Sequence, residues 1–343
     1  MTYDEIMTKI TSGLSGDNKR DINYLHEQME TYKDHELSTE IIRACGRLLY
    51  DLLPEEDRRD IGKLIEKDNL GVTSTIQEAQ FNVFHKNYDV AEKLMSDLIY
   101  RFEKAKLFQN DSVSEYHTFA NVIQELLYRT YQKEKIDIRR ATEPFSEMYL
   151  VYGSLMVELG RLEDAKTALE KALRWNPADV RIMFEYAETF KMEGDFDRFL
   201  DLTKAAWKYA YEKSSVARCC RNAGFYFSEK EMWFEAAGYF LASLQYDRQS
   251  LNAQSELYYI HSKAGESFVE PSLQEAQEIA AKYNMPIGPD ADLVAILYVH
   301  GKHFHGVELD DISEQLLKAA YELAPIKEIG DLLQEIKEAK DVS

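Results

Sequence analysis

The chain has 343 residues, of which 45% are hydrophobic, so it is long enough for two globular domains or for one continuous array of helices. Only 7 prolines and 15 glycines occur in it, which argues against an all-β fold because such folds need frequent turn residues. The 41 basic and 61 acidic residues give a formal net charge of −20. This charge disfavours general binding to nucleic acids and to anionic membranes.

Cysteine content and apolar runs bear on the compartment. Cys45, Cys219 and Cys220 provide no disulfide framework and no paired CxxC spacing for zinc. Residues 1–13 lack the apolar core of a signal peptide, and the longest apolar run, residues 293–299, is too short to span a membrane. We therefore expect a cytoplasmic protein with reduced, buried thiols.

Residues 1–70 show helical periodicity without a clear repeat. Their apolar face contains Ile41, Ile42, Cys45, Leu48, Leu49 and Leu52. We predict a helical N-terminal subdomain bounded by Pro54 and by a turn at residues 68–71.

Residues 71–144 are predicted to be a degenerate helical repeat region. Its helical positions are Ala79, Tyr88, Ala91, Met95 and Leu98. A long irregular piece from Glu103 to Thr142 is expected to follow them.

The pattern becomes regular in residues 149–177. Tyr149, Gly153 and Met156 lie on one helical face, and Gly160 ends that helix. A second helix follows and stops at Pro177, which disfavours an α conformation at the residue before it. This stretch is typical of a helical hairpin.

The hairpin pattern recurs. Ala187 follows Gly153 by 34 residues, and Gly224 follows Ala187 by 37, so we predict a loop of three extra residues at 212–216. Small residues are expected where helices pack closely, since bulky ones there would cost about 1–3 kcal/mol each. These packing positions are Gly153, Ala165, Ala172, Ala187, Gly224 and Ala236.

Over residues 145–250 these three well-formed units resemble the tetratricopeptide repeat (TPR) family. The resemblance implies an all-α fold, an α-solenoid superhelix of antiparallel helical hairpins, and a protein or peptide partner. Phe199 stands where the family usually has Ala, and Tyr211 where it has Pro. We therefore expect the second hairpin to be splayed or to continue into an extended helix.

The C-terminal part carries a weaker form of the pattern. Residues 251–325 are predicted to form two TPR-like units, and residues 326–343 a C-terminal capping helix and tail.

The resemblance also implies that the first helix of each hairpin lines a concave groove. The positions left after removing the packing residues, and expected to contact a partner, are Phe184, Glu188, Lys191, Arg218, Arg221, Asn222, Phe225 and Tyr259. Arg218, Arg221 and Asn222 together could grip a carboxylate or a peptide backbone. The same residues are also compatible with a solvated helix face carrying ion pairs to Glu185 and Glu188, and the aromatic residues with core positions.

Some TPR domains bind a C-terminal carboxylate through a set that begins with a Lys and an Asn. Here Leu150 and Ser154 fall at those positions, so the sequence does not support this type of site.

The sequence contains no phosphate-binding loop, no dinucleotide fingerprint, no HExxH and no GxSxG motif, so we expect no enzyme and no cofactor. One histidine cluster, His300, His303 and His305, is expected in a polar loop with Asp290 and Asp292 nearby. The predicted function is a non-catalytic protein-interaction scaffold. Two alternatives remain open: a peptide-responsive cytosolic regulator with an N-terminal effector part, and a metal-dependent activity at His300–His305. Self-association is compatible with each of these.

Overall fold

The structure is a computed structural model that describes residues 3–52, 71–105, 108–112, 114–132 and 136–342. Most of these residues are helical, and the strands among them are limited to one parallel pair. The predicted all-α class and the architecture of antiparallel helical hairpins are confirmed.

Three helices form the N-terminal part: α1 (Tyr3–Ser12), α2 (Asn18–Thr31) and α3 (Ser38–Leu52). Their shared core is built from buried residues that include Ile6, Ile10, Leu25 and Ile41. Buried Asp21 organises the α1–α2 connection, because its carboxylate accepts hydrogen bonds from the backbone and hydroxyl of Ser15 and from the backbone N–H of Gly16. The predicted boundary at Pro54 and residues 68–70 lies outside the described residues.

The next part has more regular structure than the sequence indicated. Helices α4 (Val72–Phe84) and α5 (Tyr88–Ala105) pack as a hairpin. They are followed by β1 (Ser114–His117), α6 (Val122–Tyr131) and β2 (Asp137–Arg140).

The expectation of a long irregular piece was therefore wrong. Strands β1 and β2 pair in parallel, with Ser114 opposite Asp137 and His117 opposite Arg140. Each strand has only four residues, too few to show an alternating pattern, and their pairing depends on contacts far away in sequence. One such contact is the hydrogen bond from Thr118 N–H to the carbonyl of Trp175.

From residue 145 onward the chain is a series of helices joined by short connections. They are α7 (Phe145–Glu158), α8 (Leu162–Trp175), α9 (Val180–Glu193), α10 (Phe196–Trp207), α11 (Lys213–Glu229), α12 (Trp233–Tyr246), α13 (Leu251–Ala264), α14 (Leu273–Tyr283), α15 (Ala291–Gly306), α16 (Asp310–Leu323) and α17 (Lys327–Val342). Extensive antiparallel packing joins α7 to α8, α9 to α10, α11 to α12, and α15 to α16.

Two compact units divide the chain. Unit 1 comprises Met1–Thr118 and Ile136–Trp175, and unit 2 comprises Phe119–Lys135 and Asn176–Ser343. Helix α6 thus belongs to unit 2, although both strands that flank it in sequence belong to unit 1. The five-part division made from the sequence stays a prediction.

Glycine lets the two helices of a hairpin approach each other closely where they cross. A Cβ added at Gly153 would lie 2.7 Å from Leu169 Cγ, and one at Gly301 would lie 2.7 Å from Leu317 Cγ. Gly224 meets Phe240 in the same way, at 2.9 Å. In each pair the second residue stands 16 positions after the first, so one crossing geometry recurs in three hairpins. Four further predicted packing positions, Ala165, Ala172, Ala187 and Ala236, are fully buried.

The end of the second hairpin differs from one of the two expectations, and the expected splay stays a prediction. Helix α10 ends at Trp207 and does not continue into an extended helix. Phe199, which replaces the usual Ala, is fully buried together with Trp207, so the larger ring is accommodated in the core.

The three extra residues also lie elsewhere than predicted. Helix α11 begins at Lys213, so residues 213–216 are its first turn and not a loop. Ser215 and Val216 are buried, and this packing accounts for the extra helical turn.

Candidate functional site

The eight predicted partner contacts lie on helices α9, α11 and α13 of unit 2, of which α9 and α11 begin packed hairpins and α13 packs mainly against α12. Helix α9 supplies Phe184, Glu188 and Lys191, α11 supplies four residues, and α13 supplies Tyr259. We call this set the first-helix face: Phe184, Glu188, Lys191, Arg218, Arg221, Asn222, Phe225 and Tyr259. On α11 the spacing 218, 221, 222 and 225 puts its four members on one side of the helix.

Arg218 lies against helix α9. Its Nη2 is 3.3 Å from Glu185 Oε1, and its guanidinium carbon is 4.7 Å from the centroid of the Phe184 ring. Phe184 itself is only 3% exposed, so it supports the guanidinium from below and has little surface of its own. The charge is presented to solvent from a fixed position.

Lys191 has a matching environment on the other side of the α9–α11 contact. Its Nζ lies 2.9 Å from Glu188 Oε1 and 4.4 Å from the centroid of Phe225. Phe225 in turn packs edge-on against Phe199, with 5.9 Å between ring centroids. A cation on one helix therefore covers an aromatic ring of the next helix, in both directions.

Glu256 on α13 lies near Lys191. Burial raises the pKa of this carboxyl, the charge of Lys191 lowers it, and that of Glu229 raises it. A half-buried acid with a raised pKa gives the face a site where protonation changes its charge.

Arg221 and Asn222 have partners of their own. Arg221 Nη1 lies 3.2 Å from Asp247 Oδ2, just after helix α12. The Asn222 side-chain amide donates to Thr203 Oγ1 at 3.1 Å, which turns it toward helix α10. Arg218, Arg221 and Asn222 are therefore not gathered around one point as a single grip.

The ion pairs and the exposure of the aromatic residues bear on both interpretations of this surface, as a partner-binding face and as a solvated helix face. The ion pair of Arg218 with Glu185 is present, whereas Glu188 is paired with Lys191. The aromatic residues differ in exposure, since Phe184 is buried, Phe225 is half-buried and Tyr259 is 44% exposed.

Tyr259 completes the row on α13. It packs edge-on against Trp233 at 6.2 Å between centroids, and Lys263 Nζ lies 5.4 Å from its ring. Trp233, Asp247 and Lys263 were missed from the sequence as members of this surface. Lys263 stands one helical turn after Tyr259, so its spacing was a usable signal, whereas Asp247 is brought in only by packing between hairpins.

The histidine cluster lies in a helix, and the expectation of a polar loop was wrong. His300, His303 and His305 belong to the last turns of α15, which ends at Gly306. His305 Nδ1 lies 2.7 Å from Asp310 Oδ1, and its Nε2 lies 3.7 Å from Glu335 Oε1. Within the described residues no group of three or more His, Cys, Asp or Glu side chains could hold a metal ion.

No helix in the described part of the chain is both long and apolar enough to cross a membrane.

Comparison with known proteins gives no family model that matches the chain and no curated protein that matches it. Among solved structures, YrrB, a TPR protein with an unusual peptide-binding site, is 16% identical, with 73% of this chain and 96% of that chain covered and a TM-score of 0.38. Pseudomonas aeruginosa PilF is 14% identical, with 75% and 96% covered and a TM-score of 0.38. A tetratricopeptide repeat protein from Parabacteroides merdae is 14% identical, with 98% of both chains covered and a TM-score of 0.29.

The chain is similar to TPR proteins. The identities are low and the TM-scores are below 0.5, so the TPR-like description of the chain rests on its own hairpins. Its basis is the 34-residue spacing from Gly153 to Ala187 together with the glycine crossings that the structure describes.

Proposed function

We propose that the protein is a non-catalytic interaction scaffold whose first-helix face binds an extended peptide or a helix of a partner protein. The observation that carries the proposal is the row of cations held over aromatic rings on helices α9, α11 and α13. The three pairs are Arg218 with Phe184, Lys191 with Phe225, and Lys263 with Tyr259.

The ion pairs already present on this face favour exchange with a partner. Ion pairs near the surface contribute only about 0–1 kcal/mol, so a partner carboxylate can replace Glu185 at Arg218, or Asp247 at Arg221, at little cost. The aromatic ring under Arg218 holds its guanidinium in place before binding. Less conformational entropy is then lost when the partner binds.

Helix spacing indicates what kind of peptide fits. Neighbouring packed helices lie about 8–10 Å apart, and an extended chain advances about 3.3 Å per residue. A peptide that crosses α9, α11 and α13 therefore meets a new helix about every third residue. Acidic or carbonyl groups at that interval match Lys191 and Arg218, with an apolar or aromatic group toward Tyr259.

A cytoplasmic setting belongs to the same proposal. In that compartment the buried thiols of Cys219 and Cys220 would stay reduced.

Affinity capture from a lysate of the native organism tests the proposal. Wild type is compared with Arg218→Glu/Arg221→Glu and with a matched control, Lys204→Glu/Lys208→Glu, which makes the same charge change at exposed positions of the second helix α10 and its cap. We expect wild type and the control variant to capture the same amount of a partner protein. The variant Arg218→Glu/Arg221→Glu should capture at least about tenfold less, because its acidic side chains would then face acidic groups of the partner. A partner held equally by all three proteins would contradict the proposal.

A further inference from the structure

Helix α6 belongs to unit 2, although it follows strand β1 and precedes strand β2, which both belong to unit 1. Its ten residues, Val122–Tyr131, pack against α15 and α16. These helices lie more than 150 positions further along the chain. Helix α6 is thus placed on unit 2 as an inserted segment and not as a member of a hairpin.

Amide side chains anchor the start of α6. Asn121 Nδ2 donates to the hydroxyl of Tyr211 at 2.7 Å, and Asn121 Oδ1 caps the helix by accepting from Gln124 N–H at 3.0 Å. Gln124 Oε1 accepts from buried Asn176 Nδ2 at 2.8 Å and from Ala120 N–H at 2.9 Å. These bonds fix both the position and the direction of the helix.

The rest of α6 is amphipathic. Ile123, Leu127 and Tyr128 are buried, whereas Arg129 and Thr130 are exposed. The apolar face therefore makes the contact, in the way that a partner helix lies in a groove.

At its C-terminal end α6 is less well accommodated. The ring of Tyr131 meets that of Tyr209 edge-on, with 5.3 Å between centroids. The Tyr131 hydroxyl is buried and has no hydrogen-bond partner among the described residues. Burial, together with the charges of Asp290 and Asp292, raises the pKa of this tyrosine. A buried hydroxyl without a hydrogen-bond partner is destabilising, so this end of the contact is weak.

Helix α6 also has little stability of its own. Isolated helices shorter than about 12–15 residues are marginal in water, so a ten-residue helix depends on the surface that holds it. A short helix that is anchored at its start but weakly accommodated at its other end, and that depends on its surface, opens more readily than the hairpins around it.

We infer that the surface of unit 2 beneath α6 is a helix-binding site, and that α6 is its exchangeable occupant. The partner that fits is an amphipathic helix with the α6 pattern: a side-chain amide before its first turn, apolar residues two, six and seven positions later, and an aromatic residue at its end. This site is separate from the first-helix face, and the inference does not depend on the proposed function.

The experiment uses the full chain and a peptide of its own sequence. In the variant Ile123→Asp/Leu127→Asp the internal helix can no longer bury its apolar face, which leaves the site open. A fluorescein-labelled peptide of residues 119–132 is titrated with the variant and with wild type, and anisotropy is measured. The control peptide carries Leu127→Asp.

We expect saturable binding of the peptide to the variant and no binding of the control peptide. Wild type should bind the peptide at least about tenfold more weakly than the variant does, because apparent affinity falls with the fraction of molecules whose site is open. No saturable binding to a variant that keeps the helicity of wild type would overturn the inference, as would equal binding of both peptides.

Hydrogen exchange in wild type provides a second measurement that does not require the variant to fold. Amides of α6 should exchange through local opening before those of α15 and α16. Exchange of all three helices in one step would show that α6 is a permanent part of the core, and the inference would fail.

Discussion

At the scale of single residues, the small positions in the first helices were readable from the sequence, because a glycine inside an otherwise regular helical pattern indicates close packing. The partners of charged residues were not readable. Arg221 pairs with Asp247, and Asn222 with Thr203, across helices whose relative placement no sequence pattern specifies. The role of the first-helix face residues as partner contacts stays a prediction, and the ion pairs and hydrogen bonds that engage them could not be predicted from the sequence.

Replacing Gly301 by a larger residue should destabilise the folded protein. In Gly301→Ala the new methyl would lie 2.7 Å from Leu317 Cγ, so we expect a loss of about 1–3 kcal/mol in the free energy of unfolding. Gly306→Ala on the same helix is the matched control, since nothing lies within 4 Å of its added Cβ. The control should be neutral or stabilising by up to about 1 kcal/mol. Chemical denaturation measures both, and equal effects of the two changes would refute the packing role.

Neighbouring thiols Cys219 and Cys220 should be unreactive in the folded protein. Both are fully buried, and burial raises the pKa of Cys219 well above its usual value and that of Cys220 to about 12. Because the thiolate is the reactive form, we expect labelling at about pH 8 to be at least about a hundredfold slower than in the urea-unfolded chain. Peptide mapping by mass spectrometry separates this pair from Cys45. Rapid labelling of the folded protein would be inconsistent with the packing of α11.

At the scale of helices and strands, the hairpins of residues 145–250 follow from periodicity and from their stop signals. Gly194, with φ +80°, ends α9, and Asp195 begins α10 by accepting from Arg198 N–H. The errors fall where tertiary contacts decide the local structure. Strand β1, helix α6 and strand β2 carry no repeat pattern, and the first turn of α11 forms because its residues are buried.

The His305 side chain should make the packing of α15 against α16 and α17 dependent on pH. Its hydrogen bond to Asp310, and the nearby carboxylate of Glu335, raise its pKa above the ordinary value of 6.5. A raised pKa in the folded state means that the stabilisation is fully present below the unfolded pKa. It is then lost as pH rises through the folded value.

Stability measured from about pH 6 upward tests this point. Wild type should lose up to about 1 kcal/mol more than His305→Gln as the histidine deprotonates. His303→Gln is the control, since His303 is exposed on the same helix, and it should follow wild type. A wild-type profile that runs parallel to that of His305→Gln would contradict the assignment.

At the scale of the whole molecule, the scarcity of proline and glycine correctly indicated an all-α chain, and the 34-residue spacing indicated its hairpins. The boundary between the two units, at Trp175 and Asn176, falls within residues 145–250, which the sequence presents as one regular block. Unit boundaries depend on how densely helices pack, and the insertion of α6 into unit 2 depends on contacts more than 150 positions apart, so neither is visible in a local pattern.

The proposed binding of partners on helices α9, α11 and α13 is tested most directly by site-specific photo-crosslinking. A photoreactive phenylalanine analogue is placed at Tyr259 on the first helix α13 or, as a control, at Leu273 on the second helix α14, where exposure is 66%. We predict a covalent adduct with a partner protein from the Tyr259 position and none from the Leu273 position. An adduct from Leu273 alone would contradict the claim and move the partner site to the second helices.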